Sequence, residues 1–95
     1  MTRKILAMPM RDTLIEKLTD AFAPDVLEVI DESEAHRGHA GWREGGETHF
    51  RLRMVAAQFS GQGRVARQRA VNDVLREELR HNVHALAMEL RAPDE

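Results

Sequence analysis

Between Glu47 and Ala57 the side chains alternate. Phe50, Leu52, Met54 and Ala56 fall on one side, and His49, Arg51, Arg53 and Val55 on the other. A period of two puts the two sets on opposite faces of a β-strand. One face must therefore pack on something apolar while the other presents arginine. Upstream, Asp25-Val26-Leu27-Glu28-Val29-Ile30-Asp31 is short and rich in β-branched residues, which predicts a second strand. A polar, glycine-broken stretch of about 14 residues, Ser33 to Gly46, separates the two and makes them the arms of a wide antiparallel hairpin. A loop of that length is either functional or disordered. The segment from Ser33 to Phe50 holds three of the five histidines, four of the six glycines and the only tryptophan.

The flanking segments follow a helical period. Leu14, Ile15, Leu18 and Phe22 form one amphipathic face, with Pro9 at the first turn and Pro24 just past the end. A break at Phe59-Ser60-Gly61-Gln62-Gly63-Arg64 allows a short helical turn that closes Phe59 onto the core. From about Val65 to Arg80 a second helix is predicted. Val71, Val74, Leu75 and Leu79 lie on its inner face, Glu77, Glu78 and Arg80 face water, and Asn82 stops it in a left-handed conformation. His84, Leu86, Met88 and Leu90 then alternate with Ala85, Ala87, Glu89 and Arg91, giving a third strand. Three strands cannot enclose a core alone, so the helices must cover one face of the sheet.

Ninety-five residues make one domain with a modest core. A 42% apolar fraction against 32% charged suits a folded globule. With no cysteine, disulfides, thiolate zinc sites and a nucleophilic thiol are excluded, and any bound metal must be met through nitrogen or oxygen. No apolar run is long enough for a membrane helix, and residues 1–10 lack the order of a secretory signal, so a cytoplasmic location with no membrane partner is expected. Nothing among Ser33, Ser60 and the threonines suggests a catalytic triad.

The net charge is only −2, yet no acid occurs between Glu47 and Asp73. Arg51, Arg53, Arg64, Arg67 and Arg69 all lie in that interval. They form either a basic face for phosphates or solvated charges balanced by acids from elsewhere. Gly61-Gln62-Gly63 has one residue between its glycines, whereas a KH-type clamp has two. His36 and His39, three apart in the loop, either close around one metal or are plain surface histidines. His49 is expected to be structural or a partner contact, His81 to complement a helix dipole, and Trp42 to be a local anchor or a partner contact.

The sequence resembles the BolA-like family nearly end to end. The residues that carry the resemblance are L-E-V-I-D-E-S at 27–33, G-E-T-H-F at 46–50, Phe59-x-Gly61, Arg67-x-Arg69-x-Val71, E-E-L at 77–79 and His84-Ala85-Leu86. It implies an α+β fold, an α-β-β-α-α-β class II KH-like arrangement with a three-stranded mixed sheet and helices packed on one face. The chain is read as a single BolA-like domain over 1–95, and the weak signal at its two ends makes 1–8 and 92–95 flexible tails. The resemblance also implies a non-enzymatic partner of a monothiol glutaredoxin. Such a protein shares a [2Fe-2S] cluster whose sulfur ligands come from the partner and glutathione. His84 falls on the C-terminal ligand position, and His36 or His39 on the loop position. Where the family often has Arg-His-Arg, this chain has Arg67-Gln68-Arg69. Because some members are described as regulators that bind DNA, the alternative reading is a transcriptional regulator using Arg51, Arg53, Arg64, Arg67 and Arg69. Self-association is left open.

Overall fold

The computed structural model describes residues 9–33 and 48–95. Helix α1 spans Met10–Phe22, strand β1 Val26–Asp31, strand β2 His49–Val55, helix α2 Arg64–Val74, helix α3 Arg76–His81 and strand β3 Ala85–Arg91, with a 3-10 turn at Ala57–Phe59 before α2. The sheet order is β1-β2-β3. β1 and β2 are antiparallel, and β2 and β3 are parallel. The parallel pair follows from connectivity, since two helices intervene and return the chain to the starting end of β2.

The alternation in β2 sets the layers. Phe50, Leu52, Met54 and Ala56 are buried on the inner face, where Val29 of β1 and the half-buried Leu86, Met88 and Leu90 of β3 join them. Against this face lie Leu14, Leu18 and Phe22 of α1 and Val71 and Leu75 of α2. Phe59 in the 3-10 turn is fully buried, with its ring 5.4 Å from that of Phe22 in a tilted contact. Each large side chain so buried contributes on the order of 1.5–3 kcal/mol relative to exposure. Among the described residues no helix lies on the opposite face of the sheet. There Ile30 is half exposed and the charged residues of all three strands stand in rows.

Three expectations are corrected. The predicted helix over 65–80 is two helices, because Leu75 adopts φ −102°, ψ 20°, which bends the chain between α2 and α3. The bend keeps Leu75 in the core and turns Glu78 inward, where it is buried and pairs with Lys17 of α1 at 2.7 Å. Asn82 does end α3, but in a right-handed conformation. The N–H groups of Asn82 and Val83 both donate to the Glu78 carbonyl, at 2.9 and 2.8 Å, and this closes the helix without a left-handed residue. Residues 92–95, expected as a loose tail, are docked. Ala92 is buried, and its N–H donates to a Glu95 carboxylate oxygen. Residues 1–8 lie outside the described residues. No helix among the described residues is long and apolar enough to cross a membrane.

Candidate functional site

The two ends of β3 carry the polar structure of the molecule. At its start the chain passes from α3 through Val83 to His84 and runs beside the first residues of β2. The N–H groups of His84 and Ala85 both donate to the Thr48 carbonyl, at 2.7 and 3.2 Å. This places His84 at the rim of the sheet with its side chain exposed, one residue ahead of the strand that it was expected to open. Beside it His49 is only 4% exposed, and the two imidazole centroids lie 5.2 Å apart at an interplanar angle of 51°.

Beneath this pair is a buried polar cluster. Ser33, at the end of the segment that follows β1, is buried. Its Oγ accepts the N–H groups of Thr48 and His49 at 2.9 and 3.2 Å, and it lies 3.3 Å from Thr48 Oγ1. Thr48 Oγ1 is in turn 2.9 Å from His49 Nδ1. Ser33 is itself held by its N–H donating to the Asp31 carboxylate, while the Glu32 N–H donates to the His49 carbonyl at 2.7 Å. These bonds join the two ends of the segment 34–47, so Ser33 and Thr48 close its base. Because buried polar groups must be satisfied, a cluster this complete fixes the local geometry. His36, His39 and Trp42 belong to that segment and lie outside the described residues. Among the described residues no three histidine, cysteine, aspartate or glutamate side chains are gathered where they could hold a metal ion. Among the described residues His84 is therefore an exposed imidazole donor and not a complete site.

The far end of β3 is built on charge. Arg67, placed among the exposed arginines by the sequence reading, is buried, and its side chain is only 11% exposed. Its guanidinium donates to the Gln62 and Leu90 carbonyls at 2.9 and 3.0 Å and makes a two-pronged pair with Glu95, while lying over the Phe59 ring. The hydrogen bond from Arg67, with the Ala92 N–H next, holds the Glu95 carboxyl down at about 2, and the same pair raises the Arg67 value. These two residues line a cleft of about 480 Å³ between α2 and β3, together with Gln62, Arg64 and Arg91.

The five arginines therefore do not form one basic face. Arg51 pairs with Glu32 at 2.9 Å, and Arg53 lies between Glu28 and Glu89 at 3.3 and 3.6 Å. The register explains this, because Arg53 stands opposite Glu28 on one side and Glu89 on the other. Arg64 and Arg69 are exposed on α2. Sequence reading missed the Ser33–Thr48 tie and the Arg67–Glu95 clamp, whose partners are 15 and 28 residues apart. The only hint of the former was a hydroxyl residue at each end of the loop.

This arrangement of α1, hairpin, α2-α3 and β3 is found in known proteins. Residues 18–95 match the family model for BolA-like protein. The chain belongs to the BolA-like family. It is 49% identical over 89 residues to an uncharacterised Sinorhizobium protein encoded in a cobS 5′ region, covering 93% of this chain and 96% of that one. It is 40% identical over 79 residues to the Vibrio cholerae DNA-binding transcriptional regulator BolA, covering 83% and 71% respectively. Among solved structures, the BolA domain of SufE1 from Arabidopsis thaliana superposes with a TM-score of 0.82 at 36% identity, over 93% of this chain and 96% of that one. The BolA-like assignment supports the α+β element order and the mixed three-stranded sheet described above.

Proposed function

We propose that this BolA-like protein is a partner of a monothiol glutaredoxin and contributes His84 to a shared [2Fe-2S] cluster, in cluster handling or iron-dependent regulation. The observation that carries the reading is the exposed His84 ring at the sheet rim, next to the base of the histidine-bearing segment 34–47. Among the described residues the donor chemistry fits one ligand of such a cluster, His84. The chain has no cysteine, so sulfur must come from the partner and glutathione, and a neutral imidazole can replace thiolate on one iron. When bound, the cluster supplies electron storage and a transferable iron-sulfur unit. The chain's own residues present the His84 nitrogen and hold its backbone through Thr48. His36 or His39 is the second donor in this reading.

The test mixes the chain with a cluster-loaded glutaredoxin and records visible absorption and circular dichroism for wild type and His84→Ala. Different spectra are expected. Identical spectra would remove His84 as a ligand.

A second reading has specific support. The Vibrio cholerae relative is described as a DNA-binding transcriptional regulator, and Arg64 and Arg69 are exposed on α2. In this reading duplex DNA is held by phosphate contacts from α2, so binding weakens steeply with salt and weakens further in a double Arg64→Ala, Arg69→Ala variant. No binding at low salt would dispose of it. Arg67, committed to Glu95 and two carbonyls, is not one of the contacts in this version.

A further inference from the structure

We propose that His49 is a positioning residue for His84. Its buried ring is a wall that confines the neighbouring imidazole to one orientation, and Thr48 and Ser33 hold that wall in place. The inference rests on the ligand role proposed above for His84 and extends it to the residues beneath.

An exposed histidine at the start of an edge strand ordinarily has several staggered side-chain orientations open to it. A ligand that waits for a partner gains from losing that freedom in advance, because the ordering cost is then already met in the free protein. Three observations show how the freedom is removed here. First, the backbone of His84 is pinned on both sides of its Cα–Cβ bond, since its own N–H and that of Ala85 share the Thr48 carbonyl. Second, the His49 ring stands 5.2 Å away at 51°, within the range of tilted ring contacts, and so occupies space that other orientations of His84 would need.

Third, the wall cannot easily move. His49 is 4% exposed, its Nδ1 is 2.9 Å from Thr48 Oγ1, and its backbone N–H donates to Ser33 Oγ. Ser33 Oγ also takes the Thr48 N–H. Turning the His49 ring would break the contact to Thr48, and shifting its backbone would strand a buried donor. The same Thr48 supplies the carbonyl that pins His84 and the hydroxyl that pins His49. One residue thus coordinates both rings. Groups that orient a metal-binding histidine typically change affinity by roughly 10–100-fold when removed.

The experiment measures the χ1 couplings of His84 by NMR in the free 95-residue chain, for wild type, His49→Ala and Thr48→Val. A single orientation is expected in wild type and an averaged one in His49→Ala, with the β2 and β3 amide signals retained. Should His49→Ala lose the sheet signals, the near-isosteric Thr48→Val, which removes the hydroxyl beside His49 Nδ1, is the second variant. In the glutaredoxin complex, cluster loss from the variant that keeps its sheet should be about 10-fold faster or more. An averaged His84 in wild type, or a single orientation that survives in the folded variants, overturns the proposal. So does an unchanged rate of cluster loss. The coupling measurement needs no partner, so it can fail while the His84→Ala spectra support ligation, and the reverse is equally readable.

Discussion

The two ends of β3 use opposite strategies. At the far end an arginine, a carboxylate and two backbone carbonyls satisfy one another, and the tail 92–95 folds back to complete the set. At the near end the Ser33–Thr48–His49 cluster is equally well bonded, yet it stops one residue short and leaves the His84 ring outside. A closed polar set holds the fold together. An ordered set with one donor turned outward fits the ligand role proposed for His84. Burial and bonding, not residue type, separate Arg67 from Arg69 and His49 from His84.

Substitutions at either end of β3 separate the two strategies. The largest effect on stability is expected from Ser33→Ala, which leaves the buried N–H groups of Thr48 and His49 without an acceptor. Each orphaned donor should cost about 1–3 kcal/mol, read as a lower urea midpoint with an unchanged slope. Next comes Glu95→Gln at the other end. The Glu95 value is lowered in the folded state, so its contribution is present above the ordinary carboxylate value of 4.5 and is lost as the pH falls toward about 2. At neutral pH the variant should unfold at lower urea than wild type, and the gap should close across that window. A gap independent of pH would assign the effect to packing and not to charge. The smallest change is expected from His84→Ala. Because the ring is exposed, its removal should shift stability by no more than about 0.5 kcal/mol. A large loss would make His84 structural and erase the contrast between the two ends.

Much of the fold was legible because its signals are periodic. The alternation of Phe50, Leu52, Met54 and Ala56 against Arg51 and Arg53 predicts which face of β2 is buried, whereas His84, read as the first residue of the third strand, lies one residue ahead of it. The break at Leu75 was not legible, since Val71, Leu75 and Leu79 continue one helical stripe through it. The turn brings Glu78 to Lys17 of α1, a contact between residues far apart in sequence. Arg67 was misplaced for a similar reason. An arginine between Gln and Ala in a helix looks solvent-facing until Glu95, far along the chain, is brought beside it. The Ser33–Thr48 tie was hidden because hydroxyls at the two ends of a long loop carry no spacing signal, and the histidines of that loop lie outside the described residues.

If His84 ligates iron as proposed, exchanging its imidazole for a thiolate must alter the cluster. The His84→Cys variant is paired with the cluster-loaded glutaredoxin, and the midpoint potential of the complex is compared with that of wild type. Because histidine in place of thiolate raises the potential of such centres, a retained cluster with a lower potential is expected in the variant. An unchanged potential would contradict ligation by His84.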